Sequence, residues 1–111
     1  MNNKCTYKSI GVKKAVDTPT NYKAPRMAVG FFLKNCDKAF LVIKDFPYDK
    51  MHLPRVGELV NLKSYDDYFN CELDFDFYHV RQIVNNLGNP MNNDPSWIEI
   101  VVDGMYYGSN N

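Results

Sequence analysis

Glu72, Asp74 and Asp76 recur at every second position. On an extended strand that spacing puts three carboxylates on one face, about 6.6–6.8 Å apart. Asp66 and Asp67 lie just before them, so residues 64–80 hold five acids and no lysine or arginine. Carboxylates gathered this way suit two kinds of chemistry. Hard divalent cations take oxygen ligands, and an acidic face docks a basic partner or imitates a nucleic-acid backbone. The glycine spacing of a calcium loop is missing, so no metal site is expected. The plainest reading is structural: charges on an exposed strand discourage edge pairing. Tyr65, Tyr68 and Phe69 stand in the same acidic stretch. They are either a lid packed inward or interface anchors, where aromatic side chains are enriched. Tyr65, Asp66, Asp67, Tyr68, Phe69, Glu72, Asp74 and Asp76 form the candidate partner-binding set.

A second set of opposite sign lies in the first half of the chain. Residues 1–50 carry ten basic and four acidic side chains, and residues 51–111 carry three and nine. A formal net charge of zero therefore hides halves of +6 and −6, an asymmetry that bears on partners rather than on fold. Lys8, Lys13, Lys14 and Arg26, with Tyr22 among them, combine cations with an aromatic ring. That mixture suits single-stranded nucleic acid, by charge plus stacking. The bland alternative is a solvated arm whose charges meet the acidic half of the same molecule.

His52 and His79 are the only histidines, and Cys5, Cys36 and Cys71 the only cysteines. No zinc-type spacing joins them, and no catalytic signature flanks any cysteine. A small hydrolase using Cys71 and His79 remains a remote alternative, because catalytic pairs are made in space. The odd, scattered cysteines argue against a disulfide framework and fit a reducing compartment. Residues 1–5 lead into polar sequence, and the longest apolar run, Ala39 to Ile43, is too short to span a bilayer. The expectation is a cytoplasmic protein with no membrane association, no cofactor and no enzymatic activity.

The elements that must position these residues are mostly strands. Residues 1–26 read as a basic arm with a short edge strand at Tyr7, Ile10 and Val12, then a loop. Residues 27–107 read as one β domain and 108–111 as a frayed tail. Met27–Lys34 and Ala39–Phe46 form a hairpin around Asn35–Lys38, with Gly30 marking a bulge or a close backbone approach. Gly57 turns the chain into a strand at Glu58–Leu62, and Lys63–Asn70 is a polar loop. Cys71–Phe77 alternates Leu73, Phe75 and Phe77 against the acids, the pattern of a half-buried strand. Residues 78–87 fit either a strand with a bulge or a helix capped by Gly88, and β-branching favours the strand. Asn85–Pro95 is a loop, Trp97–Val102 a strand, and Asp103-Gly104 its turn. The predicted fold is mainly β: a single-domain small barrel or two packed antiparallel sheets of about six strands. The alternative is α+β with one helix near 76–87.

Leu53-Pro54-Arg55-Val56-Gly57-Glu58-Leu59-Val60, Tyr78-His79-Val80 with Ile83-Val84, and Ile98-Glu99-Ile100-Val101-Val102 together make a pattern. It resembles small, mostly uncharacterised β-barrel proteins of bacterial phages and mobile elements. The resemblance covers about half the chain, omits the basic arm and carries no active site. It implies a β architecture and a phage or mobile-element accessory or inhibitory role. The function expected is binding to a basic protein partner through the acidic, aromatic surface. Single-stranded nucleic-acid binding by the basic arm is the alternative.

Overall fold

The computed structural model describes residues 11–17, 26–47, 53–69, 73 and 75–108, with backbone alone at 26, 45 and 47. The protein is mainly β, as expected. Its strands are β1 (Arg26–Leu33), β2 (Ala39–Pro47), β3 (Leu59–Val60), β4 (Phe77–Asn86) and β5 (Trp97–Met105). They form one sheet in the order β2-β1-β5-β4-β3, curled into a half-barrel. The expectation of antiparallel sheets is corrected in one respect. Five strands are present among the described residues, and β1 runs parallel to β5, pairing Ala28–Leu33 with Trp97–Val102. Among the described residues no helix is long and apolar enough to cross a membrane.

Alternation sets the inward face. Val29, Phe31 and Leu33 of β1 and Ile98, Ile100 and Val102 of β5 are buried, while their neighbours lean outward. β2 departs from strict alternation twice. Its register against β1 skips Phe40 and shifts again between Ile43 and Phe46. Each extra residue flips the parity, so Phe40, Leu41, Ile43 and Phe46 all turn inward. Phe40 is fully buried, stacks on Tyr78 at 5.3 Å and meets Phe69 edge-on at 5.3 Å. A side chain of this size stabilises by about 1.5–3 kcal/mol through burial alone. Gly30 lies in register, so it marks a close approach: a Cβ there would stand 3.2 Å from the Phe32 ring.

The segment 77–86 is strand, and the helical alternative is excluded. Arg81 is an extra residue between Val80, paired with Val102, and Gln82, paired with Val101. Tyr78 and Val80 face the core before this bulge, and Ile83 packs against the core after it. One inserted residue turns a spacing of two into a spacing of three, which is how a bulged strand imitates a helix in sequence.

The expected strand at 71–77 is also corrected. Leu73 and Phe75 belong to no strand, and β4 begins only at Phe77. Leu73 and Phe75 are nevertheless packed against the core. Asp103-Gly104 is not a turn, since both residues lie inside β5. Glycine is needed at 104 because a Cβ there would enter the ring of Phe75.

Residues 11–17 cross the open side of the half-barrel as a strap. Val16 bridges Ile43 on the outer edge of β2, and Val12 bridges Phe69. The Val16 N–H donates to the Val42 carbonyl at 2.8 Å, and the Lys44 N–H donates to the Val16 carbonyl at 3.0 Å. Lys13 N–H reaches the Tyr68 carbonyl at 3.0 Å. Of the expected edge strand at Tyr7, Ile10 and Val12, only Val12 is among the described residues, where it forms an isolated bridge; Tyr7 and Ile10 lie outside them.

Candidate functional site

Gly57, at φ 95°, turns the chain toward β3 with the Glu58 N–H donating to the Arg55 carbonyl at 3.0 Å. A left-handed conformation at that position is what glycine supplies at no steric cost. Glu58 Oε1 accepts from the Arg55 N–H at 2.7 Å and fixes the turn from outside. After β3 the chain enters a 3-10 segment, Lys63–Tyr68, broken at Tyr65. The expected loop at 63–70 thus holds short 3-10 turns on either side of a kink at Tyr65. Turn, strand and 3-10 segment together wall one side of a cavity of about 330 Å³. Phe31, Ile43, Phe46 and Leu62 form its buried floor, and Leu59 and Tyr65 stand at its rim. Glu58 and Asn61 are its polar groups. Such a lining offers apolar contact over most of its surface, with a few polar groups to orient what enters.

The described members of the candidate partner-binding set lie in different surroundings. Phe69 is 7% exposed and belongs to the core, against Phe40. Tyr65 and Tyr68 are half-buried and pack against the core, their rings 6.4 Å apart. The aromatic segment is thus the inward lid of the two alternatives, with Tyr65 also reaching the cavity. Asp66 and Asp67 are exposed. Asp76 is half-buried and already occupied: its carboxylate accepts the Tyr107 N–H at 2.8 Å, and its own N–H donates to the Met105 carbonyl at 2.9 Å. It ties the end of β5 to the start of β4. Glu72 and Asp74 lie outside the described residues.

The basic set is likewise divided. Lys13 and Lys14 are exposed on the strap, and the Lys14 ammonium sits 5.5 Å from the Tyr68 ring centre. Lys8, Tyr22 and the Arg26 side chain lie outside the described residues. So do His52, Cys5 and Cys71. His79 is half-buried opposite Asp103, whose carboxylate is taken by Arg81. Among the described residues no three of His, Cys, Asp and Glu gather as a metal site. Cys36 is disulfide-bonded, which corrects the expectation of reduced thiols. The cavity floor escaped sequence reasoning because Phe31, Ile43, Phe46 and Leu62 read there as ordinary strand hydrophobics. No local signal separates a residue that fills a core from one that floors a cavity between distant segments.

Comparison with protein families, with characterised proteins and with solved structures finds no match to this chain.

Proposed function

We propose that the protein is a small, non-enzymatic binding protein that takes an apolar side chain of a basic protein partner into the half-barrel mouth. One observation carries this reading. Tyr65 lines the apolar cavity, and the exposed Asp66 and Asp67 follow it directly on the same 3-10 segment. Its volume is at the small end of the roughly 300–1,000 Å³ typical of ligand sites, which suits an anchoring side chain. Burial of that side chain supplies affinity, and the carboxylates favour flanking lysine or arginine. An accessory or inhibitory role, of the kind the resemblance to phage and mobile-element barrels implies, fits a domain whose work is to occupy a partner.

A displayed peptide library selected on the intact protein tests this. Enriched sequences should carry a large aliphatic or aromatic residue flanked by basic ones. The enriched peptide should shift backbone resonances around Phe31, Leu59, Val60 and Tyr65. Leu59 is 56% exposed, so Leu59→Asp leaves the fold intact and should weaken binding about tenfold, or 1.4 kcal/mol. Asp66→Lys with Asp67→Lys should flatten the salt dependence. Selected peptides without basic residues, or shifts that map away from the cavity, would refute the reading.

A further inference from the structure

We infer that two copies of the chain associate by pairing β4 with β4 antiparallel, about a two-fold axis at Asn85. β4 runs to Asn86, but β3 covers only its start: Leu59 and Val60 pair with His79 and Tyr78. The last bonds on that side are those of Val80, whose N–H donates to the Glu58 carbonyl and whose carbonyl accepts from Gly57, both at 2.9 Å. Beyond Val80, among the described residues, no backbone group bonds to this side of β4. Alternation, shifted once by Arg81, turns the N–H and C=O of Ile83 and Asn85 to the open side. A bare strand edge of this kind is a template for another strand.

The chemistry of the edge selects a second copy as the occupant. A two-fold axis sets every edge charge near its own copy, so self-pairing needs an edge without charge. Residues 82–96 carry a single ionisable side chain, Asp94, and Arg81 is neutralised by Asp103. Pairing Asn85 with itself sets Ile83 opposite Leu87 on both sides of the axis. Leu87 is 86% exposed and Ile83 is half-buried, so the register covers the leucine with an apolar neighbour. The loop that follows holds the leucine in place. Asn89 Oδ1 accepts from the Met91 N–H at 3.0 Å, Gly88 N–H donates to Ser96 Oγ at 2.9 Å, and the Asp94 N–H reaches the Asn89 carbonyl at 3.1 Å. A Cβ at Gly88 would collide with the Asp94 and Pro95 backbone, so the loop closes tightly on the strand end. The product is one continuous sheet of two half-barrels, with the mouth of each left open.

Sedimentation equilibrium on the full chain over a wide concentration range tests the pairing, together with amide hydrogen exchange. The expected result is a reversible dimer in which the Ile83 and Asn85 amides slow as concentration rises. Asn85→Lys puts two ammonium groups at the axis and should abolish the dimer. The Val84 amide, bonded within the sheet, should stay protected and report an intact fold. Leu87→Lys, at a position already in solvent, should weaken the dimer even if the Asn85 variant folds poorly. A monomer at every concentration overturns the proposal. So does a dimer that survives both substitutions, or one whose formation leaves the Ile83 and Asn85 amides fast.

Discussion

The two outer edges of the half-barrel are treated differently. The β2 edge is guarded: the strap bonds it through Val16, Lys44 pairs with Asp17 at 3.2 Å, and the strand ends in Pro47, which has no N–H to offer. Among the described residues, the β4 edge has only the two residues of β3 paired with it and is bare from Ile83 onward. Charge follows the same division, with Lys13, Lys14, Asp17 and Lys44 around the guarded edge and uncharged Gln, Ile, Val and Asn along the bare one. Closure on one side and availability on the other are therefore separate properties of one sheet. The strap also closes over the aromatic core, whereas the bare edge lies against a loop with Leu87 and Met91 in solvent, 86% and 89% exposed.

The guarded side breaks most severely at Phe40. This ring is the extra residue of the β2 bulge and supports Phe69, on which Val12 of the strap rests. Phe40→Ala should cost about 3–5 kcal/mol, read from denaturant unfolding. That is a large share of the roughly 5–15 kcal/mol available to a domain. The Lys44 amide, which donates to Val16, should lose protection ahead of the β4–β5 amides if the strap depends on this ring. A uniform loss of protection would mean the strap is no weaker than the sheet.

Gly104→Ala makes the opposite cut. It presses a methyl into Phe75, which packs on Tyr78 at 5.8 Å and on Tyr106 at 5.2 Å. Overpacking of this sort costs about 1–3 kcal/mol. The damage should concentrate where Asp76 ties Tyr107 to the start of β4, and leave the strap bonds in place. Loss of Lys44 protection in this variant would show that the two sides are one cooperative unit.

How far these features could be read in advance follows from the range of the interactions that make them. The β1–β2 hairpin was legible because its turn is local: Asn35, at φ 67°, tolerates the left-handed turn, and Cys36 N–H closes on the Leu33 carbonyl at 3.0 Å. β5 was legible from its apolar run, though not its end, since the need for Gly104 comes from Phe75, nearly thirty residues away. The parallel pairing of β1 with β5 leaves no local trace at all. Alternation at 71–77 gave two inward residues, Leu73 and Phe75, but not Phe77, which packs on exposed Tyr107, and it gave the wrong backbone state at 73 and 75. Period two also left no trace of the bond at Asp76, whose carboxylate accepts a backbone N–H from Tyr107, thirty-one residues on. The cavity and the bare edge both depend on which strands become neighbours, and spacing in sequence does not encode that.

The smallest effect separates guarding by charge from guarding by backbone. Lys14 holds the strap over the Tyr68 ring at 5.5 Å, a cation–π contact worth about 0.5–1 kcal/mol at an exposed position. Lys14→Met keeps the length and apolar stem of the side chain and removes the charge. If backbone bonds do the guarding, stability should fall by no more than that amount, and Val16 and Lys44 amide protection should persist at low and high salt. If charge does it, protection in the native protein should already decline as salt rises, and the methionine variant should reproduce the high-salt state. The three strap bonds, from Lys13, Val16 and Lys44, outnumber the single cation–π contact, and backbone hydrogen bonds at about 1 kcal/mol net each outweigh it. The first outcome is therefore expected.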